Sequence, residues 1–127
     1  MKSITRILLA ALFAGSFSLA NAATVQVWEC QLNDGKTFDD LQAVSSAWLA
    51  ATKGMEGGEG IEAFHNYPVA AYAGDGGFTF VVIMPDFEAW GKLTEAYPGS
   101  ASEKADEAWG EVAKCKGSSL WASEKIK

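Results

Sequence analysis

Arginine is almost missing from this sequence. The 127 residues hold one, Arg6, inside an N-terminal stretch that reads as a removable export signal. The rest of the chain lacks the bidentate fork that grips phosphates and carboxylates. Histidine is down to one, His65, and cysteine to two, Cys30 and Cys115. Two thiols and one imidazole are too few for a four-ligand structural zinc site, so no metal is expected. The cysteines are not spaced C-x-x-C, which excludes a thioredoxin-like redox pair. No nucleophile elbow and no D-x-D-x-D-G calcium loop occurs. Lys and Arg number 10 against 16 Asp and Glu, a balance of −6 that is too acidic for a general nucleic-acid binder.

What is present begins with the export pattern. A short basic start carrying Lys2 and Arg6 leads into the apolar run Ile7 to Ala14, and Ala20-Asn21-Ala22 supplies the small residues of a cleavage site. The apolar run is too short for the ~20 residues that span a bilayer, and no second run of that length follows. No cysteine follows the cleavage site, which disfavours a lipoprotein. Residues 1–22 are therefore read as a signal peptide and 23–127 as one domain of about 105 residues. With Lys2 and Arg6 gone, eight basic and 16 acidic residues remain. The processed protein is expected to be soluble, in a bacterial periplasm or outside the cell, with no membrane span. That compartment is oxidising, so Cys30 and Cys115 are expected to form one disulfide. It would close nearly the whole domain into a loop, worth about 4–5 kcal/mol in the chain-entropy account.

Alternation marks a first strand over Thr24 to Leu32, with Val25, Val27 and Glu29 on one face and Gln26, Trp28 and Cys30 on the other. Thr37 then caps a helix with Asp39 and Asp40 in its first turn and an apolar stripe of Phe38, Leu41, Val44, Trp48 and Leu49. Residues 54–60 are glycine-rich. They lack the lysine of a phosphate loop and follow a helix instead of preceding one, so they read as a flexible connector. Ile61 to Ala73 reads as a second strand, at an edge or bulged because of Pro68. The Gly74-Asp75-Gly76-Gly77 turn leads into a third strand, Phe78 to Met84, apolar on both faces. Asp86 caps a helix to about Tyr97, and Pro98-Gly99 breaks it. Ser102 is expected to cap the next segment, which runs through Trp109 and Cys115 to Gly117. Ser119 to Ile126 forms a last short strand.

The fold class this order implies is α+β, a ferredoxin-like βαββαβ unit. It has an antiparallel four-stranded sheet, helices on one face and a broken second helix. Such a sheet leaves its other face bare. Here that face carries Val25, Val27, Val81 and Ile83, so a second copy is expected to cover it, giving a homodimer.

The strand order, the Phe80 to Trp90 step through Pro85-Asp86-Phe87, and the short helix broken before a longer one resemble the dimeric α+β-barrel superfamily. The likeness covers about residues 24 to 126. The superfamily includes antibiotic-biosynthesis-type monooxygenases, haem-degrading enzymes, isomerases and proteins without known activity. Its haem-degrading members place a histidine on the second helix. The segment from Phe87 to Cys115 has none, so haem is not implied and no cofactor is expected.

Candidate chemistry is sparse. His65, as the one histidine, is the candidate general base. Five tryptophans are many for this length. Trp48, Trp90 and Trp109 fall on apolar helix stripes, where core packing accounts for them. The alternative is a pocket shaped by Trp28, Trp48, Asn66, Tyr67 and Trp90 and closed by Tyr72, for a flat or apolar ligand. Glu103, Asp106, Glu107 and Glu111 read as a solvated helix face. The leading expectation is a non-catalytic module that binds a small ligand or serves as an accessory. The alternative is a cofactor-independent monooxygenase or isomerase acting on an aromatic or quinol-type molecule through His65.

Overall fold

The structure, a computed structural model, describes residues 22–69 and 76–126. Residues 1–21 of the export segment, Tyr72 and the Gly74-Asp75 part of the turn lie outside the described residues. The elements are β1 (Ala23–Leu32), α1 (Phe38–Lys53), β2 (Glu62–Asn66), β3 (Gly77–Met84), α2 (Phe87–Ala96), α3 (Ala101–Gly110) and β4 (Ala113–Ser123). The strands form one antiparallel sheet in the order β2-β3-β1-β4. This is the expected ferredoxin-like α+β architecture.

Local chemistry sets the helix starts. The Thr37 hydroxyl accepts from the Asp40 N–H at 3.2 Å, and the Thr37 N–H donates to Asp40 Oδ2 at 2.8 Å, a complete capping box. Those bonds from Thr37 hold the Asp40 carboxyl below its ordinary range. Asp86 caps α2 by accepting from the Ala89 N–H at 2.8 Å.

Packing then selects one face of the sheet. Phe78, Phe80, Val82 and Met84 of β3 point to the helices and share a buried cluster with Leu41 and Trp48 of α1, Leu93 of α2 and Trp109 of α3. The opposite face carries the cross-strand pairs Val25–Ile83 and Val27–Val81. Phe64 and Trp121 flank them, 45% and 60% exposed. This is the bare apolar face that the alternation of β1 and β3 implies. Among the described residues no helix is long and apolar enough to cross a membrane.

Four features differ from the sequence reading. The strand expected over Ile61 to Ala73 is the short edge strand β2, which ends at Asn66, ahead of Pro68. Ser100, not Ser102, caps α3, its hydroxyl accepting from the Glu103 N–H at 3.1 Å. Ser102 turns inward instead and is hydrogen-bonded to the buried Thr52 hydroxyl at 2.6 Å. The last helix stops at Gly110, and β4 starts at Ala113, so Cys115 belongs to a strand. Helical spacing of apolar residues up to Val112 hid this boundary; pairing along β1 overrides it.

Within that pairing Cys30 lies directly opposite Cys115, and the two form a disulfide with their Cα atoms 4.0 Å apart. The register slips just beyond, where Glu29 alone faces Lys116 and Gly117. This β-bulge restores Ser118 to the helix side opposite Trp28.

The fourth difference is the glycine-rich connector, which is closely docked. Gly57 has φ of 84°, and a Cβ there would collide with the Ala89 carbonyl and the Leu93 nitrogen of α2. Its glycines let backbone meet backbone, and they fix where α2 lies over the sheet.

Candidate functional site

The helix layer does not seal the sheet. α2 ends at Ala96, and the chain turns through Pro98 and Gly99, whose φ is 75°, before α3 begins. Beneath that turn β4 contributes small residues, Ala113 and Cys115, which do not fill the space. The result is a cavity of about 550 Å³ between α2, α3 and the β1–β3 floor.

Its walls are aromatic. Trp28, Trp48, Trp90, Trp109, Phe80 and Tyr97 all line it. Phe80 is the hub, with ring centroids 5.5 Å from Trp28, 5.4 Å from Trp48 and 5.5 Å from Trp109. Polar groups are few and mostly occupied by one another. The Trp90 indole N–H donates to Gln26 Oε1 at 3.4 Å, and Gln26 Nε2 donates to the Ser118 hydroxyl at 3.4 Å. The Trp109 indole N–H donates to the buried Ser45 hydroxyl at 2.8 Å. Burial pushes the Tyr97 phenol above its ordinary range; the Trp48 indole opposes the shift and the Asp106 carboxylate reinforces it. Tyr97 is therefore neutral at pH 7. Asp106, exposed on α3, is the one charged side chain among the described residues lining the cavity.

His65 lies on the helix side of β2, with its ring 5.6 Å from Phe80. It is not among the residues that line the cavity, although Phe80, which its ring contacts, is. Its Nε2 is 2.8 Å from Ser45 Oγ, and its Nδ1 is 3.4 Å from the Tyr67 hydroxyl. Ser45 Oγ accepts from Trp109 and keeps both a second lone pair and its own hydrogen, so either tautomer of the neutral imidazole completes its bond to Nε2. Burial, which holds the His65 pKa below its ordinary value, favours that neutral imidazole.

The structure brings together three of the expected pocket residues, Trp28, Trp48 and Trp90. It does not bring Asn66 and Tyr67 to them. Those two line a separate hollow of about 480 Å³ with Phe78 and Lys116, where Tyr67 packs edge-on against Phe38 at 4.4 Å. Sequence reasoning missed Gln26, Tyr97, Asp106 and the cavity role of Trp109. The Pro98-Gly99 break was the available signal for them, since a gap in the helix layer exposes whatever flanks it. No group of three or more His, Cys, Asp or Glu side chains that could hold a metal occurs among the described residues.

Neither a protein-family model nor a curated protein matches the sequence. Solved structures do match the fold. One is SnoaB, a cofactor-independent oxygenase from Streptomyces nogalater, with a TM-score of 0.60 and 11% identity over 83% of this chain and 96% of that one. The shared fold is the ferredoxin-like one. A protein from Chloroflexus aurantiacus provisionally assigned as such a monooxygenase aligns with a TM-score of 0.56 and 7% identity, over 84% of this chain and 97% of its own. A dimeric ferredoxin-like protein of unknown function from Thermobifida fusca gives 0.53 and 12%, over 80% and 92%. At these identities the likeness concerns architecture, and the chemistry has to be argued from this chain's own residues.

Proposed function

We propose that this protein binds a small apolar or aromatic molecule in the tryptophan-lined cavity, as a binding or accessory module and not as a catalyst. One observation carries the reading: four indoles and Phe80 surround an open space of about 550 Å³, within the size range of ligand pockets. The position of His65 argues against turnover by that residue. A base must come within hydrogen-bond reach of the proton it removes, and His65 is not among the residues that line the cavity.

The test is titration with phenylnaphthylamine, a neutral fluorescent aromatic. Saturable emission together with quenching of the tryptophans is expected. Trp90→Ala should weaken the probe about tenfold, the equivalent of about 1.4 kcal/mol. Absence of any saturable signal up to the probe's solubility limit overturns the proposal. Dioxygen uptake with a naphthohydroquinone, lost in the Asp106→Asn or His65→Gln variant, would instead establish an oxygenase.

The same reading places the protein in an oxidising compartment after export and pairs two copies through the bare sheet face. The export pattern at residues 1–22 and the Cys30–Cys115 disulfide support the first. The exposed Phe64 and Trp121 beside the two valine-rich strand pairs support the second.

A further inference from the structure

The cavity's lining narrows the chemistry of its occupant. Indoles can meet a ligand through the N–H, which favours anions and carbonyls, or through the ring face, which favours cations. Here three of the four indole N–H groups are engaged by the protein. Trp109 donates to Ser45 at 2.8 Å, Trp90 to Gln26 at 3.4 Å, and Trp48 bears on the Tyr97 oxygen. Much of what faces the space is π surface, gathered around Phe80.

The electrostatics agree. Among the described lining residues no lysine is present and the single charge is the carboxylate of Asp106. An anionic ligand would find no counter-ion there and would be repelled at the mouth. The whole chain carries −6, which raises the local concentration of cations at a low-dielectric opening.

We infer that the cavity takes an organic cation, an alkylated ammonium bearing an aromatic or apolar substituent, with the ring faces around Phe80 receiving the charge and Asp106 pairing with it at the mouth. This rests on the cavity being a ligand site, the reading proposed above. A bare primary ammonium is a poorer fit, because its three N–H donors would meet one carboxylate at the mouth and few other acceptors among mainly aromatic and apolar walls. Alkylation removes those donors and spreads the charge over methyl groups that pack against rings. The apolar substituent then occupies the remainder of the space beside Val82 and Leu93.

The experiment compares phenyltrimethylammonium with tert-butylbenzene, its uncharged isostere, by calorimetry and tryptophan quenching on the purified full-length processed protein. The cation is expected to bind about tenfold more tightly than the isostere, in line with several cation–π contacts. Asp106→Asn should reduce that preference several-fold, and phenylnaphthylamine should displace the cation, which places it in the cavity and not on the acidic surface. Equal or tighter binding of tert-butylbenzene, or failure of phenylnaphthylamine to compete, overturns the inference while leaving the apolar-ligand reading intact. If phenylnaphthylamine itself does not bind, the cavity reading fails and this inference fails with it.

Discussion

Trp109 of α3 donates its indole N–H to the hydroxyl of Ser45 on α1 at 2.8 Å, and the same oxygen lies 2.8 Å from His65 Nε2 on β2. One buried hydroxyl thus ties two helices and the edge strand together and fixes the plane of an indole whose other side lines the cavity. Ser45→Ala keeps the helix and removes only this oxygen. It leaves a buried indole N–H and an imidazole nitrogen without partners, at a cost of about 1–3 kcal/mol for the unsatisfied donor. Urea unfolding should show that loss. Near-ultraviolet circular dichroism should change as well, because the Trp109 ring is freed to turn. A stability loss with unchanged tryptophan dichroism would mean that the hydroxyl does not orient the ring.

The imidazole gives this tie a pH signature. Burial holds the His65 pKa below its ordinary value near 6.5. As pH falls through about 6.5 the unfolded chain takes up a proton that the folded chain refuses until a lower pH. Stability is therefore full above that window and declines within it. The expected result is a fall in unfolding free energy as pH drops below the ordinary imidazole value of about 6.5, flattened in His65→Gln. Asp40, whose pKa is lowered from 3.8 by its bonds to Thr37, loses its contribution only in more acidic solution, so the two effects separate. A slope in the upper window that persists in His65→Gln assigns the proton to another group.

The parts of this fold legible in the sequence are those fixed by short-range rules. Thr37 and Asp86 announced two helix starts, and the alternation in β1 and β3 placed Trp28 and Phe80 on the helix side and Val27 and Val81 on the bare side. The β4 boundary was not legible, because Ala113 and Cys115 continue the helical spacing of Trp109 and Val112 and only pairing with β1 tells the two apart. The site followed the same division. Trp28, Trp48 and Trp90 share the cavity because each lies on a helix-facing stripe. Asn66 has the opposite parity to His65 on β2, so it points to the bare face. Asp106 looked like one more solvated carboxylate; its place at the cavity mouth depends on how α3 crosses the sheet.

The Cys30–Cys115 bond joins residues 85 apart in sequence across the β1–β4 pair. A loop of that length contributes about 4–5 kcal/mol by restricting the unfolded chain. The Cys30→Ser/Cys115→Ser protein should unfold at markedly lower urea, with the wild type matching it when a strong reductant is added. Because the bond acts mainly on the unfolded chain, the reduced protein should keep the same far-ultraviolet dichroism under native conditions. Loss of that spectrum on reduction would show that β4 needs the bond in order to pair at all.

Val27 and Val81 face each other across β1 and β3 at the centre of the bare sheet face, and Trp121 and Phe64 stand exposed to either side. In a two-fold dimer each substitution enters the interface twice, so a single lysine there places two buried charges close together. Val27→Lys should convert a wild-type dimer to monomer in sedimentation equilibrium at micromolar concentration. The fold should survive, because the side chain points to solvent once the copies part. Pairing through the edges β2 or β4 is the competing geometry, and it makes a different demand: it would leave Val27 outside the contact and the lysine variant dimeric. A wild type that sediments as a monomer overturns both geometries and leaves the apolar face exposed to water.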